Sequence, residues 1–124
     1  MNRSLRRALL DWLDDHKAEM LDLLEAAVNI DSGSHDKAGV DRVNALFRAH
    51  LDAAGIATEV HPMEHHGDCL SAHIPGSQAD AARYVLLLGH MDTVFPAGTA
   101  RQRPVRNSRN GGMQRPIAGG IAQA

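Results

Sequence analysis

The sequence predicts an α/β fold, and three observations predict it. Two stretches carry apolar residues at three- and four-residue spacing, two shorter stretches alternate apolar and polar residues, and the stretch YVLLLGHM is apolar almost throughout. A length of 124 residues is that of one domain. We therefore expect two helices, a hairpin and a central strand, arranged as an α/β sandwich.

The first helix is predicted over residues 4–29. Leucines, Trp12 and Met20 recur there at helical spacing, and charged residues occupy the other positions. That pattern is typical of an amphipathic helix with one packed face. The small polar residues of NIDSGSHDKAG then predict the end of the helix.

A second helix is predicted to follow, and Ser34 or Asp36 is suited to cap its first turn. Gly55 stands where a glycine commonly follows the last turn of a helix. The apolar residues at helical spacing predict its buried face: Val40, Val43, Leu46, Phe47 and Leu51.

Three strands are predicted next. IATEVHPM and CLSAHIPG alternate in polarity, and the intervening EHHGD suits a hairpin turn. After a helical turn near SQADAA, the run YVLLLGHM is typical of a central strand covered on both faces. Cys69 is the only cysteine, so an internal disulfide is excluded, and we expect this side chain to be buried in its strand.

Residues 101–124 differ in composition from the rest of the chain. They contain five arginines and no acidic residue, and Arg, Gly, Ala and Pro make up 14 of the 24 positions. Such a segment buries too little apolar area to offset the entropy of ordering it, so we expect disorder. Out-of-frame reading of GC-rich DNA gives this composition, so we expect residues 101–124 to be an out-of-frame or truncated tail.

Net charge and hydropathy limit which binding partners and which cellular location the sequence supports. A formal net charge of −2 gives no argument for binding nucleic acid or a membrane surface. We find no apolar stretch of membrane-spanning length and no apolar core of a signal peptide near the N-terminus. The sequence therefore predicts a cytoplasmic protein.

His90 and Asp92 follow the predicted central strand, two positions apart. Functional residues gather beyond the carboxyl ends of central strands in α/β sheets. A neutral imidazole can bind zinc through one nitrogen, and a carboxylate that accepts from the other nitrogen fixes its tautomer. The pattern thus points to a metal ligand at His90, oriented by Asp92. From the spacing alone, a turn with a hydrogen-bonded histidine is the alternative.

The stretch LLLGHMDTVFPAGT resembles the first metal-binding motif of the metallopeptidases of family twenty, which include glutamate carboxypeptidases, aminoacylases and succinyl-diaminopimelate desuccinylases. The upstream helices and the segment NIDSGSHDKAGVDRV fit the same family, and DSGSHDKAGV is most similar to the glutamate carboxypeptidase branch. The similarity covers residues 1–100 and implies that they are the N-terminal part of a metallopeptidase catalytic domain. Within the motif it runs through these positions: Gly89, His90, Asp92, Val94, Pro96 and Gly98.

The resemblance implies the N-terminal part of a zinc-exopeptidase-like α/β sandwich. It implies a hydrolase that removes a C-terminal amino acid of the glutamate type from a peptide or an N-acyl amino acid. It also implies two zinc ions, with His90 as a ligand of one and Asp92 as the active-site residue that orients His90. Some members of the family are dimers.

The sequence departs from the family after Arg103 and Pro104. The expected Gly-Pro-Gly-x-x-Asp-Met-Lys motif does not follow, and Asp92 is the last acidic residue. This chain therefore offers at most one weak zinc ligand, and we expect it to be inactive alone.

Three alternatives stay open. The loop residues Glu64, His65, His66, Asp68 and Cys69 could hold a metal ion instead. The arginine-rich tail could make the chain a non-catalytic binding module for nucleic acid or an acidic partner, although no aromatic residue in it could stack on bases. Finally, the chain could pair with a separately encoded remainder.

Overall fold

The computed structural model describes residues 2–76, 85–108 and 112–114. Over these residues the predicted mixed α/β class is confirmed. None of the described helices is both long and apolar enough to cross a membrane. The elements are α1 (Arg3–Asp15), α2 (Lys17–Val28), α3 (Lys37–Ala53), β1 (Thr58–His61), β2 (Cys69–Ala72), α4 (Thr99–Gln102), β3 (Arg106–Ser108) and β4 (Gly112–Gln114).

The chain forms two compact units. The described residues of Met1–Asn29 and Gly98–Ala124 make up one unit, and those of Ile30–Ala97 make up the other. The first unit contains α1, α2, α4 and the hairpin of β3 and β4, whereas the second contains α3 and the hairpin of β1 and β2. The domain division predicted at residue 100 stays a prediction.

The region predicted as one helix is two helices, α1 and α2, separated at His16. The backbone N–H and the ring Nδ1 of His16 lie 3.1 Å and 2.8 Å from the Trp12 carbonyl oxygen, and the two rings stack with centroids 4.0 Å apart. These contacts lie at the break between α1 and α2, which residue periodicity does not reveal. The apolar face of α1 is exposed, so the predicted packing of that face is wrong over the described part of the chain.

In the first unit, the side-chain amide of Asn29 pairs with the backbone of Val105. Its Nδ2 donates to the Val105 carbonyl at 2.8 Å, and the Val105 N–H donates to its Oδ1 at 2.8 Å. Val105 is buried, and β3 follows it and pairs antiparallel with β4. The sequence predicted an irregular tail here, and that prediction is wrong for residues 106–108 and 112–114. The amide of Asn29 anchors the segment, which its composition does not indicate.

In the second unit, α3 has the predicted boundaries and caps. Of the two candidate caps, Asp36 is the one used, because its side chain accepts a 2.9 Å hydrogen bond from the N–H of Gly39. At the other end the N–H of Ile56 donates to the Leu51 carbonyl at 2.9 Å, and Gly55 has a φ of 73°. Only a left-handed residue closes a helix in this way, which explains the glycine.

The predicted hairpin is confirmed as β1 and β2, an antiparallel pair that packs against α3. Val60 and Leu70 are opposite each other and half-buried, and Val40 and Val43 of α3 are buried. Cys69 is exposed, so the expectation that it is buried is wrong. Because neighbouring strand residues point to opposite faces, the inward position of Leu70 turns Cys69 outward.

Polar groups tie the hairpin turn to α3. Lys37 Nζ donates to Asp68 Oδ1 at 2.5 Å and lies 3.1 Å from Asp41 Oδ2. The Asp68 backbone is held as well: its N–H donates to Asp41 at 2.7 Å, and its carbonyl accepts from Asn44 Nδ2 at 2.9 Å. The hydrogen bond from Lys37, and then that from the N–H of Met63, lowers the pKa of Asp68; the bond to Asp68 raises the pKa of Lys37.

The central strand predicted over residues 84–91 is wrong for the described residues 85–91, which have no strand conformation. The side chains of Val85, Leu86, Leu87 and Leu88 are 75–91% exposed. A strand needs a hydrogen-bonded neighbour, and β1 and β2 pair with each other instead. Tyr84 and the helical turn predicted near SQADAA lie outside the described residues.

Candidate functional site

His90 and Asp92 contact each other directly. The Nδ1 of His90 lies 3.1 Å from Asp92 Oδ1 and 2.9 Å from the Asp92 carbonyl oxygen. Both oxygens are acceptors, so Nδ1 carries the proton and Nε2 carries the lone pair of the neutral ring. The His90 side chain is 83% exposed, and its Nε2 has no hydrogen-bond partner among the described residues.

Ser34 holds the second oxygen of the same carboxylate. Its hydroxyl donates to Asp92 Oδ2 at 2.5 Å, so both carboxylate oxygens of Asp92 are engaged. The bond from Ser34 is the main cause that lowers the pKa of Asp92; partial desolvation opposes it, and the contact with His90 adds to it. The carboxylate therefore stays ionised and can accept from both neighbours.

Backbone hydrogen bonds hold Ser34 beside Asp92. Gly33 and Thr93 form an isolated parallel bridge. The N–H of Ser34 donates to the Thr93 carbonyl at 3.1 Å, and the N–H of Thr93 donates to the carbonyl of Ser32, which is buried, at 2.7 Å. A Cβ at Gly33 would lie 3.2 Å from the carbonyl oxygen of Phe95, so a larger residue would require a shift of a few tenths of an ångström there.

The sequence does not predict Ser34 as a hydrogen-bonding partner of Asp92. It predicts Ser34 only as a possible helix cap, and 58 positions separate the two residues. The one available signal was that DSGSHDKAGV, which contains Ser34, carries part of the family resemblance together with the histidine motif.

An open groove lies beside these residues. It is lined by residues 33–36 and 93–97 and has a volume of about 590 Å³. Ser34, whose hydroxyl contacts the Asp92 carboxylate, and Thr93, which follows Asp92 in the sequence, both line the groove. A groove of this size can accept a small ligand.

The loop that offered an alternative metal site does not assemble one. Glu64, His65 and His66 are exposed, and the one contact among them joins His65 Nε2 to Glu64 Oε1 at 3.8 Å. Asp68 is bonded to Lys37 and to the N–H of Met63. Within residues 2–76, 85–108 and 112–114, no three His, Cys, Asp or Glu side chains come together to hold a metal ion.

The chain was compared with protein-family models, curated proteins and solved structures, and nothing in any of the three matches it. The donor chemistry at His90 fits one zinc ligand, because an imidazole with its proton fixed on Nδ1 presents the Nε2 lone pair outward. The described residues supply this ligand and its orienting carboxylate, and no further ligands around them.

Proposed function

We propose that this chain is the N-terminal part of a di-zinc, carboxypeptidase-like hydrolase with a zinc-exopeptidase-like α/β sandwich. The substrate is a peptide or an N-acyl amino acid, from which a C-terminal amino acid of the glutamate type is removed. One observation carries the proposal: Nδ1 of His90 faces two oxygens of Asp92, and the side chain of His90 is 83% exposed, so Nε2 would be open to a metal ion. The resemblance of LLLGHMDTVFPAGT to the family's first metal motif supports it.

His90 is the residue that would hold one zinc ion, through Nε2. Asp92 holds the Nδ1 proton and so keeps the ring in the tautomer that a metal site requires. When bound, a zinc pair supplies Lewis acidity toward water and toward the scissile carbonyl. A small substrate would lie in the groove of residues 33–36 and 93–97, which His90 and Asp92 do not line and which Ser34 connects to Asp92.

The chain by itself lacks the means for hydrolysis in this proposal. One imidazole binds zinc weakly and cannot fix the geometry that catalysis requires. We expect no hydrolysis of an N-acyl glutamate by the isolated 124-residue chain with zinc added. The cytoplasmic location expected from the sequence stays a prediction.

Zinc titration followed by NMR on the histidine rings tests the proposal. We expect zinc at millimolar concentration to shift the Nε2 resonance of His90, and we expect His90→Ala to remove this binding. Asp92→Asn should weaken the binding by about 10-fold, the size of effect that an orienting partner has on a metal ligand.

A matched control is His61→Ala, which removes a histidine ring of β1 that contacts Ser71 Oγ of β2 and should leave the titration unchanged. Zinc binding that survives His90→Ala would contradict the proposed site. Submicromolar affinity measured by calorimetry would contradict the view that a single ligand is present.

A further inference from the structure

The orientation of the Asp92 carboxylate depends on a residue outside the histidine motif. One oxygen faces the His90 ring at 3.1 Å, and the other accepts from the Ser34 hydroxyl at 2.5 Å. A quarter-turn of the carboxylate about its Cβ–Cγ bond would break both contacts together. The hydroxyl lies farther from its other acceptor, the Thr93 carbonyl, at 3.3 Å, so its main bond is to Asp92.

We infer that Ser34 is a positioning residue, which holds the Asp92 carboxylate against Nδ1 of His90. The carboxylate thereby adds to the Asp92 backbone carbonyl, 2.9 Å from the same nitrogen, in favouring the Nδ1–H tautomer. The role in zinc binding rests on the proposed function, whereas the effect on the tautomer does not. Asp92 is 41% exposed and His90 83% exposed, so water competes for every hydrogen bond between them. Loss of the Ser34 bond leaves the carboxylate free to rotate away from the ring.

The backbone contacts allow this role to be separated from simple support of the loop. The N–H of Ser34 donates to the Thr93 carbonyl, and the N–H of Thr93 donates to the Ser32 carbonyl; neither bond uses the hydroxyl. In Ser34→Ala, therefore, the backbone bonds keep the two segments joined, while the carboxylate loses its bond from the hydroxyl and the Thr93 carbonyl loses only the longer contact at 3.3 Å. In Ser34→Thr the hydroxyl is kept, so the orientation of Asp92 should be kept as well.

The first measurement is the tautomer of His90 in the metal-free full chain. Long-range ¹H–¹⁵N spectra at about pH 8.5, well above the ordinary imidazole pKa of about 6.5, distinguish Nδ1–H from Nε2–H rings. We expect the Nδ1–H form in the original chain and in Ser34→Thr, and a shift toward the Nε2–H form in Ser34→Ala. A tautomer unchanged in Ser34→Ala would overturn the inference.

Ser71→Ala is the matched control, because it removes another serine hydroxyl that contacts a histidine, at 2.8 Å from Nε2 of His61. It should leave the spectrum of His90 unchanged. The backbone amide spectrum of each variant reports whether the fold is retained. If Ser34→Ala lost its fold, Ser34→Gly, which also has no side-chain donor, would replace it as the variant, and an unchanged tautomer there would likewise overturn the inference.

The second measurement is zinc titration of the same variants. We expect about 10-fold weaker binding in Ser34→Ala and unchanged binding in Ser34→Thr. If the original chain showed no zinc binding at His90, the proposed function would fail, and the tautomer would still decide the role of Ser34. If zinc bound equally well with and without the hydroxyl, the positioning role toward the metal would be overturned.

Discussion

Two regions of the unit Ile30–Ala97 are both rich in apolar residues and differ in structure. In the first, α3 packs against the hairpin of β1 and β2, and Val40 and Val43 are buried. Polar contacts such as that of Lys37 with Asp68 also join α3 to the hairpin turn. In the second, Val85–Leu88 are more apolar still and are exposed. Apolar side chains thus determine structure only where the backbone also finds hydrogen-bonding partners.

The residues that follow the apolar run of the second region make defined contacts. From Asp92 onward, the Ser34 hydroxyl, the backbone of Thr93 and the bridge to Gly33 hold the chain in place. Polar contacts that bury little apolar area therefore hold the candidate site, whereas burial stabilises the α3–hairpin region. Mutations in the α3–hairpin region should accordingly change the stability of the fold, and mutations near Asp92 should change the geometry of the candidate site.

Among variants that compare the two regions, we expect the largest change in the free energy of unfolding at Gly67. A Cβ at this position would overlap Cβ and Cγ1 of Val40, whereas one at Gly89 would meet nothing within 4 Å. Gly67→Ala should lower the free energy of unfolding by about 3 kcal/mol, the upper end for overpacking, because the contact is with a buried side chain near its backbone. Gly89→Ala should change it by less than about 0.5 kcal/mol. Urea denaturation of the two variants checks this.

The next effect compares one buried and one exposed aliphatic residue. Val43 is 3% exposed and Leu87 is 89% exposed. Val43→Ala should lower the free energy of unfolding by about 2 kcal/mol, from the lost burial of two methyl groups and the space they leave. Leu87→Ala should change it by less than about 0.5 kcal/mol, although it removes more carbon atoms. An equal loss in both variants, measured by thermal or urea unfolding, would show that Leu87 is covered.

A smaller effect is expected from the ion pair that ties the hairpin turn to α3. Because Lys37 lowers the pKa of Asp68, the stabilisation by that carboxylate is present above its ordinary pKa of about 3.9 and is lost as the pH falls through the lowered value. Because Asp68 raises the pKa of Lys37, the contribution of the ammonium is present below about 10.4 and is lost as the pH rises through the raised value.

Unfolding measured across pH tests this pair with Lys37→Met. The stability difference between the original chain and the variant should be largest between about pH 4 and about pH 10 and should close at both extremes. Lys17→Met is the matched control, because Lys17 begins α2 as Lys37 begins α3. A difference that stays constant in acid would mean that the bond between Lys37 and Asp68 is not made in solution.

The sequence predicted α3, its caps and the first hairpin because the signals there are local. The side chain of Asp36 reaches an N–H three residues ahead, and Gly55 reports a backbone conformation at its own position. The break at His16, the pairing of Asn29 with Val105 and the exposure of residues 85–88 depend on contacts that a periodicity does not contain. The run YVLLLGHM showed which side chains favour burial but not whether a neighbouring strand was in reach.

The candidate site divides in the same way. The contact of His90 with Asp92 spans two residues, so the spacing of the motif was enough to predict it. The contact of Ser34 with Asp92 spans 58, and only the fold brings those residues together. Short-range geometry of a motif can therefore be predicted from sequence, while the partner that fixes it has to be found in the structure.

The smallest effect concerns the outer face of the hairpin, where Cys69 is exposed although its strand pairs on one side and packs on α3. A thiol reagent should label Cys69 in the native protein without denaturant, at a rate that urea below the unfolding transition does not increase. Cys69→Ser should change the free energy of unfolding by less than about 0.5 kcal/mol, since no buried contact is lost. Labelling that required unfolding would mean that Cys69 is buried, as the sequence analysis predicted. The hairpin would then be covered on both faces and not on one.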